Sequence, residues 1–202
     1  ELENEQGDAF TLKALRDKTT GNKSVRRGEL MTRIKGCEEW AAIEGHVGLF
    51  LTLTAPSRFH STLRESGLPN PSYDGSSPRA AQQWLRDCWD DTRSKLRHAG
   101  LKPYGFRVAE PHHDGCPHWH ALVWLPRDQV HEFKRIVHLW WRRDMPAEPG
   151  AHKHRAKIKH MRSGEAIGYV AKYIAKNIDD DGSVKWEGHS DDWAGIKPGD
   201  QE

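Results

Sequence analysis

Two apolar segments decide the fold, YGFRVAE (residues 104–110) and HWHALVWL (residues 118–125), and a turn signal separates them. Apolar and polar or small residues alternate in the first segment, and this period of two predicts a β-strand. The dipeptide Asp114-Gly115 is typical of the turn between two antiparallel strands. We therefore predict a β-hairpin centred on this dipeptide, with the second segment as the returning strand.

Outward from the hairpin, hydrophobic periodicity predicts further strands and helices on both sides. The predicted strands are 48–54, 104–110, 118–125 and 156–161, and the predicted helices are 28–44, 79–99, 128–142 and 163–177. From residue 48 the order is β-α-β-β-α-β, followed by one more helix. This order is typical of the split β-α-β, ferredoxin-like arrangement. We therefore predict an α+β fold in which helices flank a central antiparallel sheet.

The remaining segments divide the 202 residues into three parts. We predict an N-terminal arm and helix over 1–45, a core domain over 46–178 and an acidic C-terminal tail over 179–202. Because the chain opens on Glu1 rather than on methionine, we expect it to be a piece of a longer protein.

Composition excludes several classes of protein. No run approaches 18 apolar residues, so we predict no membrane-spanning helix, and the absence of an apolar leader predicts no signal peptide. Cys37, Cys88 and Cys116 lie far apart and are odd in number. They form neither a disulfide framework nor a C-x-x-C metal site, which suits a reducing cytoplasm.

Charge is distributed unevenly although the net charge is only +2. Residues 127–176 carry a net charge of +7, whereas residues 1–9 carry −4 and residues 179–202 carry −6. A basic segment between acidic ends suggests a polyanionic partner. A solvated basic face without a partner is the alternative.

A candidate metal site follows from the hairpin register. His118 and His120 are two residues apart on a strand, so both side chains leave the same face. A hairpin centred on the predicted turn places Glu110 opposite His118, with Cβ atoms about 4.5–5.5 Å apart. Two imidazoles and a carboxylate can hold Mg²⁺ or Mn²⁺, and also Zn²⁺, with open positions for catalysis. The alternative for the histidine pair is ordinary polar exposure, and His112 and His113 in the turn are weaker ligand candidates.

A pair of tyrosines marks the last predicted helix, which contains GYVAKYIAK. At 3.6 residues per turn, Tyr169 and Tyr173 share one face with Lys172 and Lys176, opposite the apolar stripe. The tyrosines are therefore not core residues, although amphipathic surface tyrosines are an alternative. A phenol beside lysines and a divalent metal suits nucleophilic attack on a phosphodiester, which yields a phosphotyrosine ester.

Taken together, these motifs resemble the HUH endonucleases, in which an apolar residue, here Trp119, separates two histidines. The chain resembles the rolling-circle replication initiators and, more closely, the replication gene A proteins of bacteriophages. The matching segments are FLTLTAPSRFH (50–60), PHWHALVW (117–124) and GYVAKYIAKN (168–177).

The resemblance implies an HUH nuclease fold and site- and strand-specific nicking and joining of single-stranded DNA at a replication origin. It assigns metal binding to His118 and His120, with Glu110 as the third ligand, and the nucleophiles to Tyr169 and Tyr173. A 5′-phosphotyrosine intermediate would start and end rolling-circle replication in the cytoplasm of a bacterial host, where a host helicase is a candidate partner.

The same interpretation extends to other basic residues. We expect Lys157, Lys159 and Arg162 to contact phosphates and Arg58 and His60 to touch DNA. Two alternatives are a related HUH transposase or relaxase and a non-catalytic nucleic-acid-binding module. A zinc-structured domain is a third, against which the sequence argues because it has no set of four cysteine and histidine ligands.

Overall fold

The computed structural model describes residues 2–3, 9–19, 22–162, 164–166 and 168. In chain order the elements are β1 (Leu2–Glu3), β2 (Ala9–Phe10), α1 (Leu12–Asp17), α2 (Lys23–Ile43), β3 (Val47–Thr54), α3 (Pro78–His98), β4 (Tyr104–Pro111), β5 (Pro117–Leu125), α4 (Val130–Trp141), α5 (Ala151–His154) and β6 (Ala156–Met161). The strands and helices predicted between residues 48 and 161 agree with these bounds within two residues.

A four-stranded antiparallel sheet forms the centre of the molecule, in the order β4-β5-β3-β6. Strands β3 and β4 are parallel to one another with β5 between them, and β5 and β6 are parallel with β3 between them. Each pair is joined through a helix, which is the split β-α-β connection. The predicted α+β fold with an antiparallel sheet flanked by helices is therefore confirmed.

The N-terminal part departs from its prediction in detail. Helix α2 begins at Lys23 rather than at residue 28, because the Asn22 side chain accepts a hydrogen bond from the Ser24 amide at 2.9 Å and caps the helix. A further short helix, α5, lies between the predicted helix 128–142 and the predicted strand 156–161. The domain boundaries at residues 45 and 178 stay predictions, and the acidic tail lies outside the described residues.

One face of the sheet is covered by α3 and α4. The leucines of β3 and every second residue of β5 from Trp119 onward face these helices. Leu85 of α3 and Phe133 of α4 are fully buried against them. Trp141 closes the same cluster at the end of α4. The large apolar side chains of this face form the main hydrophobic core.

Among the described residues, α2 covers part of the opposite face. Ile34 and Ala41 of α2 pack against Phe50, Leu122 and Trp124 of the two central strands. Strand β5 is therefore buried on both faces, from His118 to Leu125, whereas the edge strand β4 alternates between half-buried and exposed residues. Beyond α2, the end of this face carries the polar side chains of Glu110, His118 and His120.

Two composition-based predictions can be compared with the structure. All three cysteines are free, and burial raises the pKa of both Cys88 and Cys116 to about 12, so these thiols are inert at neutral pH. Among the described helices, none combines the length and the apolar character needed to cross a bilayer.

We predict that Gly105→Ala strongly destabilises the sheet. Gly105 has φ +150°, and a Cβ atom there would lie 1.9 Å from the backbone carbonyl oxygen of Leu122 on the neighbouring strand. Backbone cannot move aside as a flexible side chain can, so we expect a loss of at least about 3 kcal/mol in the free energy of unfolding. Urea denaturation measures it.

Gly36→Ala is the matched control, because Gly36 lies inside α2 and a Cβ atom there meets no atom within 4 Å. Alanine has the higher helix propensity, so this variant should gain up to about 1 kcal/mol. Equal stabilities of the two variants would contradict the close approach at Gly105.

Candidate metal centre

The β4–β5 hairpin sets the register on which the candidate site depends. Glu110 lies directly opposite His118, and Val108 lies directly opposite His120, so the predicted pairing is confirmed. Side chains directly opposite on antiparallel strands leave the same face of the sheet. A shift of one residue in one strand would turn its side chains to the other face and separate the three groups.

The turn between the strands holds this register through its own hydrogen bonds. The amide of His112 donates to the carbonyl of Cys116 at 2.8 Å, and the Cys116 amide donates to the Asp114 carboxylate at 3.0 Å. Gly115 has φ +80°, a left-handed conformation that glycine adopts at no steric cost. The predicted Asp114-Gly115 turn thus lies where the sequence places it.

Three ligand atoms converge on the face of the sheet that α2 packs against, at the end beyond this helix. Glu110 Oε2 lies 3.3 Å from His120 Nε2 and 3.7 Å from His118 Nε2, and the two Nε2 atoms are 2.8 Å apart. The three side chains are between 8% and 11% exposed. The structure therefore brings together all three predicted ligands.

The spacing and the chemistry of this group fit a divalent cation. Ligands about 2.1 Å from one ion lie about 3.0–3.4 Å apart, close to the separations found here. A cation between the two Nε2 atoms and the carboxylate would satisfy their lone pairs and offset the cost of burying a charged carboxylate. One oxygen and two nitrogen donors are compatible with Mg²⁺, Mn²⁺ or Zn²⁺.

Neighbouring side chains orient the two imidazoles. Thr52 Oγ1 lies 3.2 Å from His120 Nδ1, and the Phe50 ring stacks on His120 with a centroid distance of 5.3 Å and an angle of 13°. When the proton of the neutral His120 ring is on Nδ1, this N–H donates a hydrogen bond to Thr52 Oγ1, and Nε2 presents its lone pair to a metal. The His112 ring packs against His118 with a centroid distance of 4.0 Å.

Trp119, between the two histidines, points into the opposite face of the sheet. It is fully buried, its indole Nε1 donates to Gln82 Oε1 at 3.0 Å, and the Arg107 guanidinium lies 3.5 Å from its ring centroid. This anchoring resists rotation of the strand and so keeps His118 and His120 on the site face.

A row of side chains extends from the site across the sheet to its edge. His120, Thr52 and Lys157 lie in register on β5, β3 and β6, and Lys159 follows on the same face of β6. Lys157 is half-buried and Lys159 is exposed. Two of the predicted DNA contacts therefore lie on the same face as the proposed ligands.

Arg64 is a basic residue of this region that sequence reasoning missed. Burial has the largest effect in lowering the pKa of His112, His154 and Lys157, and the positive charge of Arg64 lowers all three further. Arg64 thus lies within electrostatic range of both the β4–β5 turn and β6. Its loop has no periodicity from which this position could be predicted. We call Arg64, Lys153, Lys157 and Lys159 the cationic rim.

The other predicted DNA contacts occupy different surroundings. Arg58 forms ion pairs with Asp74 at 3.0 Å and Asp144 at 3.2 Å. His60 Nδ1 lies 3.0 Å from Asp114 Oδ2. Arg162 is exposed just after β6. That these residues contact DNA stays a prediction.

The predicted catalytic residues Tyr169, Lys172, Tyr173 and Lys176 lie outside the described residues. The chain immediately before them is described in part: the Gly164 amide donates to Glu38 of α2 at 2.6 Å. Ala166 is buried in the cluster between α2 and the sheet. The approach to the predicted helix 163–177 therefore lies on the same face of the sheet as the candidate metal centre.

Similarity to known proteins extends over most of the chain. The chain is 39% identical to the replication gene A protein of Escherichia phage 186 over 96% of its own length. It is 42% identical to the replication protein of Haemophilus phage HP1 over 80% of its length. It is 37% identical to a "Probable replication endonuclease from prophage-like region" of Salmonella paratyphi A over 92% of its length.

The chain spans 28%, 20% and 23% of the length of these three relatives. No solved structure matches it significantly. The family model for the bacteriophage replication gene A protein (GPA) matches residues 1–181. The chain therefore belongs to the bacteriophage replication gene A protein family.

Proposed function

We propose that this chain carries the metal-dependent DNA endonuclease of a bacteriophage replication initiator, built on the HUH nuclease fold. The observation that carries the proposal is the buried Glu110, His118 and His120 group on one sheet face in a chain of the GPA family. The name of the Salmonella relative, a probable replication endonuclease, supports the same activity.

The reaction we propose is transesterification by tyrosine. The phenolic oxygen of Tyr169 or Tyr173 attacks the scissile phosphorus, and the bond from phosphorus to the 3′ oxygen breaks. The products are a 5′-phosphotyrosine ester and a free 3′ hydroxyl, so the bond energy is kept for rejoining. A phenol has a reference pKa of about 10, and Lys172 and Lys176 would favour the phenolate or offset the phosphate charge.

The described residues of the site would bind and orient the scissile phosphate. Glu110, His118 and His120 would hold a divalent cation, Mg²⁺ or Mn²⁺, which when bound polarises the phosphate and stabilises the departing 3′ oxygen. Thr52 would hold the His120 imidazole in its ligating orientation. The partial burial of the three ligands reduces the water that competes for the same positions.

The substrate we propose is single-stranded DNA at a replication origin. The cationic rim lies on the β6 side of the site, and positive side chains along a groove bind the backbone of a single strand. Rolling-circle replication in a bacterial cytoplasm, with a host helicase as partner, is the biological setting we propose. A related transposase or relaxase would perform the same chemistry on another DNA, whereas a binding module would form no covalent product.

We predict that replacing His118 and His120 together by alanine abolishes cleavage of single-stranded oligonucleotides with Mn²⁺, while most of the DNA binding remains. The physical reason is that cleavage needs the ligands, whereas binding depends on the basic surface. A denaturing gel measures cleavage, and fluorescence anisotropy measures binding.

His131→Ala is the control, because His131 is exposed on α4, and it should cleave as the unmodified protein does. Full cleavage in excess chelator would contradict the metal-dependent reaction.

We predict that Tyr169→Phe and Tyr173→Phe each retain some adduct formation but lose successive strand transfer, and that the double variant forms no adduct. Side chains one helical turn apart can reach the same phosphate in alternation. One tyrosine would hold the cut 5′ end while the other cuts the newly made origin, and the released 3′ hydroxyl would attack the first ester. Mass spectrometry of the trapped adduct identifies the residue, and a phosphodiester on any other residue would refute the mechanism.

We predict that neutralising Lys157 and Lys159 with glutamine flattens the dependence of DNA affinity on salt. For single-stranded DNA, the slope of log affinity against log salt should fall by about 0.7 for each phosphate that the variant no longer neutralises. The matched control removes two positive charges, Arg97→Gln with Lys102→Gln, near the end of the sheet remote from Glu110. Equal slopes for the two double variants would place the DNA elsewhere.

A further inference from the structure

The loop that follows β3 is fastened to the β4–β5 turn beside the candidate metal centre. His60 Nδ1 lies 3.0 Å from Asp114 Oδ2, and the Asp114 side chain is fully buried. Thr62 Oγ1 lies 3.0 Å from His113 Nε2 in the same turn. The buried Asn70 side chain donates to the backbone carbonyl of His60 at 2.8 Å, which fixes His60 from behind.

Asp114 is committed to this contact on both of its oxygens. Oδ1 accepts the Cys116 amide at 3.0 Å, and Oδ2 faces His60. Burial alone would raise the pKa of Asp114, but the Cys116 amide and His60 lower it below its usual value. The carboxylate is therefore ionised at neutral pH and holds both the turn and the His60 ring.

A continuous row of rings leads from this pair to the proposed ligands. The His60 ring meets His112 edge-on, with a centroid distance of 5.0 Å and an angle of 72°. His112 in turn lies against the His118 ring, with a centroid distance of 4.0 Å and an angle of 32°. Because His118 is the second residue of β5, it lies at the end of the sheet, where the ladder alone restrains a side chain least.

We propose that Asp114, His60 and His112 form a buttress that holds His118 in its ligating rotamer, so that His60 is a positioning residue of the metal centre rather than a DNA contact. The inference rests on the metal centre of the proposed function. His60 acts through the His112 ring, which excludes the rotamers of His118 that turn Nε2 away from Glu110. The loop after β3 thereby becomes part of the metal site without supplying a ligand.

The test is the affinity of the protein for Mn²⁺, which is measured in a titration from the EPR signal of the free ion. We expect His60→Ala and Asp114→Asn each to weaken Mn²⁺ binding by about tenfold, as is typical when a partner that orients a metal ligand is removed. Because the two residues act as one pair, the double variant should be no weaker than either single variant. His131→Ala is again the control and should bind Mn²⁺ unchanged.

DNA affinity in excess chelator separates positioning from direct contact. Replacing a residue that only positions a metal ligand leaves this affinity and its salt dependence unchanged. Replacing a residue that contacts a phosphate lowers both the affinity and its dependence on salt. Unchanged Mn²⁺ affinity in His60→Ala, or weaker DNA binding in chelator, would overturn the proposal. Thermal unfolding in chelator verifies folding, and His60→Asn, which can still donate to Asp114, should recover most of the Mn²⁺ affinity.

The role of His112 is tested by two substitutions. His112→Phe keeps a ring against His118 and should stay within about threefold of the unmodified protein, whereas His112→Ala should lose about tenfold in Mn²⁺ affinity. Equal losses in both would mean that His112 is itself a ligand and would overturn the buttress. Mn²⁺ binding that survives in His118→Ala would instead refute the proposed metal centre, so the two failures are distinguishable.

Discussion

The pairing of Glu110 with His118 across the β4–β5 hairpin is the constraint on which the candidate site depends. Side chains on a strand alternate between faces, so a slip of one residue would place the carboxylate and the imidazoles on opposite sides of the sheet. The closed turn at Asp114 and Gly115 prevents that slip, and Trp119 adds a second restraint because its indole is locked in the core of the other face. The ligand geometry is thus a consequence of backbone register and of core packing together.

One face of the sheet forms the main hydrophobic core, and the other carries the candidate metal centre. Helices α3 and α4 cover one face with the large apolar cluster that supplies most of the burial. Among the described residues, helix α2 covers part of the other face, around Phe50, Leu122 and Trp124. The remaining end holds the candidate metal centre, where His118 and His120 lie on the central strand β5, which is packed on its other face, and Glu110 lies on the edge strand β4. A site on paired strands is held more precisely than one on loops, which favours chemistry that needs fixed ligand positions.

Charge is arranged around the centre in a way that suits a phosphodiester substrate. The ligand group carries one carboxylate, while the cationic rim approaches it from the loop after β3, from α5 and from β6. Positive side chains gathered in one region repel one another, as the lowered pKa of Lys157, due to burial and then to Arg64, Lys153 and Lys159, indicates. A polyanion bound across the rim would relieve that repulsion, and membership in the GPA family makes DNA the polyanion that we propose.

The sequence by itself determined the order of strands and helices and the three proposed ligands, because both follow from local rules. The period of two on β4 and β5 and the Asp114-Gly115 turn specify a pairing between residues only eight positions apart. Only the tertiary structure decided the surroundings of these ligands. Arg58 meets Asp144 and His60 meets Asp114 across 86 and 54 residues of chain, and Arg64 extends from a loop without periodicity. Such contacts depend on how loops pack against the finished sheet, and no local pattern of residues encodes that.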